Sequence, residues 1–427
     1  MKILLKNARI LTMKDDKVIE GSIVVKDNRI AYIGNDYKTF GPFDREIDCE
    51  KNLLMPGFKN AHAHSSMVFL RGKADDERQH EWLFNTCLPR EQFLIAEDIY
   101  ALNKVAYLEY LTSGITAIFD YYFFIPSMAK SAEDFGMRTV LLGTYEHGVT
   151  SLEQEVGNYR KYNENKDSVV SFCVGLHAEY TADENRIAKT KQAIELTHSP
   201  FFTHISETEG EVQGCIERHN MPPAKYLYES GLFAYGGGGY HCVHLTDEEA
   251  QIFKDNNLTI VTCPCSNAKL AAGIVPITKY YNMGINIAIG TDGPASNNGL
   301  DMFKEMYLLA SFNRLQTKDD KFIPAFEFLK MATVNGAKAM GLKDADVLDE
   351  GKLADIIMID LSRPSMQPLN NIVTNLVYAG SKDNIKMTMI NGKILYENGK
   401  FYLNESVEDI YKEAQKATER LENAYKK

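Results

Sequence analysis

Apolar and polar positions alternate near both ends of the chain, and a different rhythm fills the middle. Ile3–Leu5, Ala8–Leu11, Ser22–Val25 and Arg29–Ile33 read as short strands of period two. Lys14-Asp15-Asp16 and Lys26-Asp27-Asn28 read as the turns between them. The same texture returns at Ala354–Ile359 and Lys386–Ile390, where Asn391-Gly392 predicts a tight hairpin into Lys393–Tyr396. Two β-rich ends around a different middle predict a small composite β-sandwich domain, built from residues 1–55 and 345–402.

Within the middle, short β-branched runs alternate with amphipathic helical stretches. The predicted strands are Leu53–Phe58, Ile115–Asp120, Thr139–Thr144, Val169–Leu176, Phe201–Ile205, Gly238–Val243, Thr259–Cys263 and Ile285–Gly290. Asp98–Leu111, Arg186–Leu196 and Asp247–Asp255 are helical stretches between them. This is the α/β pattern of a (β/α)8 TIM barrel, here over 56–344, whose active site lies at the C-terminal ends of its strands. Residues 406–427 carry Val407, Ile410, Tyr411, Ala414, Ala417, Leu421 and Tyr425 at helical spacing, which predicts a surface helix with one packed stripe. That stripe suits either the barrel or a second subunit.

Composition narrows the function classes. Hydrophobic residues make up 44% of the 427, which a packed core requires. The net charge of −11 is interspersed and leaves no clustered basic face, so nucleic acid is excluded as a partner. The seven cysteines are odd in number and irregularly spaced, and Cys263-Pro-Cys265 has neither zinc-ribbon nor redox spacing. Reduced thiols and a cytoplasmic location are expected. No apolar run is long enough to span a membrane, and the first residues turn polar too soon for a signal peptide.

Candidate chemistry is concentrated in five stretches: His62-Ala-His64, Gly175-Leu-His177, His204-Ile-Ser-Glu207, His241-Cys-Val-His244 and Thr291-Asp292-Gly293. They hold six of the chain's 10 histidines, each at or just past the end of a predicted strand. Alternate residues of a strand share a face, so His62 and His64 can grip one ion. A nitrogen from His204 and a carboxylate from Asp292 would complete a site of the zinc, iron or manganese kind with one position open for water. Glu207 falls beside that site without being a ligand.

These residues carry a resemblance. Pro56-Gly57-Phe58 before Asn60-Ala-His-Ala-His64, Pro264-Cys-Ser-Asn267 with Lys269-Leu270 and Gly273, and Gly290-Thr291-Asp292-Gly293 with Ser296-Asn297-Asn298 resemble the amidohydrolase superfamily. Arg71-Gly72, Glu81-Trp82-Leu83, Leu88-Pro89 and Glu91 narrow this to the methylthioadenosine/S-adenosylhomocysteine deaminase and chlorohydrolase-like branch. The resemblance implies one divalent metal ion, zinc before iron or manganese, on His62, His64, His204 and Asp292. Val169–Tyr180 holds no lysine of the kind that bridges two metals, which favours a single ion.

The resemblance also implies roles. Glu207 would shuttle a proton to the ring nitrogen beside the leaving amine, and His241 would hydrogen-bond the hydroxide on the metal. Asp292 would take and return a proton. Glu91 would reach ribose hydroxyls, His177 another ring nitrogen, and Trp82 and Ser296 would line the substrate. The expected reaction is hydrolytic deamination of an amino-purine nucleoside-like small molecule of the 5′-methylthioadenosine, 5′-deoxyadenosine or adenosine class, with release of ammonia. Alternatives are deamination or dechlorination of another amino-heteroaromatic ring (guanine, pterin or s-triazine), or a catalytically silent scaffold. A homo-oligomer, dimer or tetramer, is expected.

Two departures bear on substrate. Deaminases of this branch that accept S-adenosylhomocysteine hold its carboxylate with arginines after strand three, whereas here none follows Leu142 until Arg160. Glu146 and Glu179 instead suggest an acidic rim that disfavours a carboxylate-bearing tail. The run Gly236–Gly239 before His241 suits either a widened pocket floor or relief of close packing.

Overall fold

Eight strands of the computed structural model pair in sequence order, each parallel to its neighbours. They are Phe58–Ala63, Ile115–Tyr121, Arg138–Leu142, Val170–Ala178, Phe201–Ile205, Gly237–His241, Thr259–Thr262 and Asn286–Ile289. The structure describes residues 1–73, 82–143, 151–166, 168–317 and 323–426; Glu81, Glu146 and His147 lie outside them. Beyond the eighth strand, Thr291 N donates to Asn60 Oδ1 at 2.8 Å and Asp292 N to His62 O at 3.0 Å, which brings the last strand's end against the first. Phe119, Phe202, Tyr240 and Val261 fill the interior of this barrel. The outer faces pack against the helices in a larger core. Burial on both faces explains why these strands read as continuous apolar runs.

The first barrel strand differs from the sequence reading. Leu53–Pro56 belongs to a second sheet, where it pairs antiparallel with Ile356–Ile359 and parallel with Lys2–Leu11. The barrel begins only at Phe58. An unbroken apolar run carries no period to mark such a boundary, and Gly57 is what separates the two. A Cβ there would lie 2.1 Å from Thr116 Cγ2, so only glycine lets the chain pass. The second sheet has nine strands drawn from both ends of the chain, with a core of its own around Ile10, Ile23, Leu54, Ile356 and Met389. Arg138 on barrel strand three clamps Asp355 with two bonds of 2.6 and 2.9 Å, both side chains buried, and ties the sheet to the barrel.

The glycine run relieves packing. A Cβ on Gly237 would lie 1.9 Å from Phe201 O, and one on Gly238 2.1 Å from Thr259 O. A Cβ on Gly239 would meet Cys242 Sγ at 2.8 Å and Ile205 Cδ1 at 3.0 Å, both outside the catalytic cavity, so the pocket-floor reading is set aside. The C-terminal helix Val407–Tyr425 is fastened to the helix Ala96–Thr112 by Arg420 Nε, 3.1 Å from Asp98 Oδ1. Among the described residues no helix is long and apolar enough to cross a membrane.

Candidate active site

All five chemical motifs emerge at the C-terminal rim of the barrel. His62, His177, His204 and His241 stand in the last residues of strands one, four, five and six, and Asp292 follows strand eight. The backbone turns sharply here. Ser206, His241 and Asp292 adopt left-handed φ angles of 50°, 64° and 61°. Such conformations cost non-glycine residues about 1–3 kcal/mol and persist where the surroundings over-determine them.

One nitrogen each from His62, His64 and His204 lies within 4.8 Å of the others. Asp292 Oδ1 is 3.2 Å from His64 Nε2 and 3.5 Å from His62 Nε2. The outward nitrogens are committed: His64 Nδ1 to Tyr121 O at 2.8 Å and His204 Nδ1 to His177 O at 2.6 Å. A carbonyl accepts only from N–H, which places a proton on Nδ1 and leaves Nε2 as the nitrogen that faces inward. His62 is fully buried, and neither of its ring nitrogens has a hydrogen-bond partner among the described residues. A buried polar atom so placed needs a partner, and a divalent cation supplies one. Burial pushes His62 down to about 3 and holds His204 well below the usual range, so both are neutral and able to ligate.

The carboxylate of Asp292 is oriented from several sides. Its Oδ1 accepts from Gly293 N at 2.7 Å, and its Oδ2 from Ser266 Oγ at 2.5 Å and Ser296 Oγ at 2.7 Å. Burial alone would raise its pKa, but His62 and His64 hold it well below the carboxylate range. His241 Nδ1 contacts Asn267 Oδ1 at 2.7 Å and lies 3.8 Å from Glu207 Oε1.

A cavity of about 390 Å³ opens over this floor. His64, His204, Glu207, His241 and Asp292 line its base, while His62 has no exposed surface. Glu91 lines the wall and accepts from Tyr122 Oη at 2.6 Å. His177 also lines it, with Nδ1 3.2 Å from Thr181 Oγ1. Trp82, Leu83, Phe84 and Leu88 supply apolar surface. Ser296 lines the cavity too, although its hydroxyl is spent on Asp292 and on Gly293 O at 3.0 Å.

Two features were not assigned from sequence, and the acidic-rim reading of Glu179 is corrected. Ser266 and Asn267 steady Asp292 and His241; the Pro264-Cys-Ser-Asn267 motif was visible, but its targets lie 26 residues away in sequence. Glu179 is 2% exposed, and Arg218 and His219 engage both its oxygens at 2.5–3.0 Å, so it is no free charge on the rim. Arg186 lines the cavity from the first turn of the helix Glu184–Thr197, where Nη1 donates to Thr181 O at 3.0 Å.

Comparison with known proteins agrees with this geometry. A profile of the amidohydrolase family matches residues 53–395. A 5-methylthioadenosine/S-adenosylhomocysteine deaminase of Thermoanaerobacter pseudethanolicus is 36% identical over 411 residues, 93% of this chain and 94% of the relative. A 5′-deoxyadenosine deaminase of Methanosarcina mazei is 35% identical over 431 residues, 98% of each chain. Among solved structures, an adenosine deaminase of Xanthomonas campestris with bound zinc superposes with a TM-score of 0.92 at 26% identity, covering 99% of this chain and 98% of that one.

Proposed function

The chain belongs to the amidohydrolase family, and from that premise we propose that it is a metal-dependent deaminase of amino-purine nucleosides of the 5′-methylthioadenosine, 5′-deoxyadenosine or adenosine class. The observation that carries the reading is the convergence of three inward imidazole nitrogens with the carboxylate of Asp292 at the floor of an apolar-walled cavity. His62, His64, His204 and Asp292 would hold one divalent ion, with zinc the ion proposed. Bound there, the ion supplies Lewis acidity that lowers the pKa of a water molecule from about 15.7 towards about 7.

The remaining chemistry falls to the side chains. Asp292, ionised at neutral pH, takes the proton that the attacking water loses. Glu207 in its acid form protonates the ring nitrogen beside the amine as the water oxygen adds to the carbon bearing that amine. Asp292 then passes its proton to the amine, the C–N bond breaks, ammonia leaves, and the remaining hydroxyl proton returns to Glu207 as the ring carbonyl forms. His241, held through Asn267, hydrogen-bonds the attacking oxygen. Glu91 accepts from the ribose hydroxyls, His177 contacts a second ring nitrogen, and Trp82 covers the ligand. Two carboxylates in different surroundings thus perform opposite proton transfers.

Ammonia release from adenosine, 5′-deoxyadenosine, 5′-methylthioadenosine and guanine, and chloride release from a chlorotriazine, test the reading, with metal content measured on the same sample. Turnover of the adenosine-type nucleosides is expected. Turnover confined to guanine or the triazine would overturn the substrate class, and a metal-loaded protein inert to all five would favour a silent scaffold.

A further inference from the structure

The chain that delivers Glu207 into the cavity makes an unusual turn. Strand five ends at Ile205, Ser206 takes a left-handed φ of 50°, and the helix Glu209–His219 starts behind Thr208. Thr208 caps that helix by accepting from Glu211 N at 3.1 Å. In the usual reciprocal arrangement, the acidic residue three places into the cap returns a bond to the capping residue's own N–H. Glu211 reaches further back instead. Its Oε1 accepts from Ser206 N at 2.7 Å and its Oε2 from Glu207 N at 2.8 Å. One carboxylate therefore holds two successive amides, the second of which belongs to the residue that faces the substrate. Glu211 stands behind Glu207, in a compartment lined by Leu83, Phe84, Tyr180 and Arg218, and it does not line the catalytic cavity.

A non-glycine residue in the left-handed region stays there only while something holds it. The two bonds that Glu211 accepts do so on the amide side of the turn, as His244 N does by donating to Ser206 O at 2.9 Å, and the bond from Glu207 N bears on the direction in which the Glu207 side chain leaves the backbone. An error of about 1 Å in the placement of a catalytic group can cost on the order of 10²-fold in rate.

We propose that Glu211 is a positioning residue for the deamination: it locks the 206–207 turn so that the Glu207 carboxyl meets the substrate ring. The inference rests on the reading of Glu207 as the proton donor.

The test is a double-mutant cycle on the metal-loaded enzyme, with E211Q and E211A made in the parent and in an E207Q background. The side-chain amide that E211Q introduces can accept one N–H through its oxygen while its NH2 opposes the other. E211Q should therefore lose about 10-fold in kcat and E211A about 100-fold, with KM and bound metal unchanged. In the E207Q background E211A should cost less than about 2-fold more, because the group it positions is already disabled. An equal loss from E211A in both backgrounds, parent-like kcat in E211A, or loss of metal from E211Q would overturn the proposal. E207Q alone reports on the premise: full activity there sinks the role of Glu207 itself, and the proposal with it. The graded E211Q variant keeps the comparison informative should E211A fold poorly.

Discussion

Arg90 Nε donates to Glu422 at 3.1 Å, joining residues 332 apart in sequence, and Arg90 directly precedes the Glu91 of the cavity wall. The same Glu422 oxygen accepts from Lys73 at 2.5 Å, and the Arg90 guanidinium lies 4.0 Å from the Tyr425 ring centre. The C-terminal helix is thereby braced against the segment that bears Trp82 and Glu91. Arg90 and Glu422 are 16% and 24% exposed, so removing the pair should cost about 1 kcal/mol. E422A is expected to raise KM for adenosine-type nucleosides about 5-fold, with kcat within about 2-fold of the parent. Steady-state kinetics decide it, and a matching fall in kcat would argue against the brace acting on substrate binding.

The three-imidazole floor predicts a sharp response to metal removal. Chelation should abolish ammonia release, and zinc should restore it. H204A removes one ligand and should leave less than about a tenth of the bound metal and about 10⁻³ of the activity, with no recovery on adding zinc. Elemental analysis alongside kinetics checks both, and full activity in the chelated protein would contradict the site.

Arg186 changes the expectation drawn from the rim charges. With Glu179 engaged by Arg218 and His219, Arg186 is left as a cation on the cavity wall, oriented by the Thr181 carbonyl. Guanidinium and carboxylate form strong paired hydrogen bonds where water is partly excluded. The expected outcome for R186Q is a drop of about 10-fold in kcat/KM for S-adenosylhomocysteine, while 5′-methylthioadenosine, which lacks the carboxylate, changes less than about 2-fold. Equal effects on both would remove Arg186 from tail recognition.

The barrel, the rim and the four clustered donors were legible because each depends on local pattern. Strand runs end at chemistry-bearing residues, and His62-Ala-His64 declares its shared face by spacing alone. What stayed hidden depends on partners distant in sequence. Glu179 looked like a free acid because Arg218 and His219 lie on a later helix. The first predicted strand ran across two sheets because Leu53–Phe58 reads as one apolar segment, and the contact between Gly57 and Thr116 is what separates them. Glu211 sits four residues past Glu207 and looks like an ordinary helix-capping acid until its bonds to Ser206 and Glu207 are seen.

Glu155 supplies a prediction about stability rather than catalysis. It lies in the first turn of the helix Leu152–Glu164 with no exposed surface, and neither carboxyl oxygen has a partner among the described residues. Oε1 rests against the backbone of Gly143, where an added Cβ would come within 1.8 Å. Burial pushes this carboxyl up to about 8. In the unfolded chain a glutamate titrates near about 4.3, so the folded state holds the proton more tightly. Below about pH 4.3 both states are protonated and the group costs nothing. As pH rises from there towards 8, the unfolded chain gains by ionising while the folded one does not, and stability falls by up to a few kcal/mol before levelling off. E155Q keeps the shape and removes the titration; any cost of burying its amide is the same at every pH. The Tm of E155Q minus that of the parent should therefore climb by several degrees between pH 5 and pH 8.5. A flat difference across that range would show that Glu155 is ionised or partnered in the folded protein.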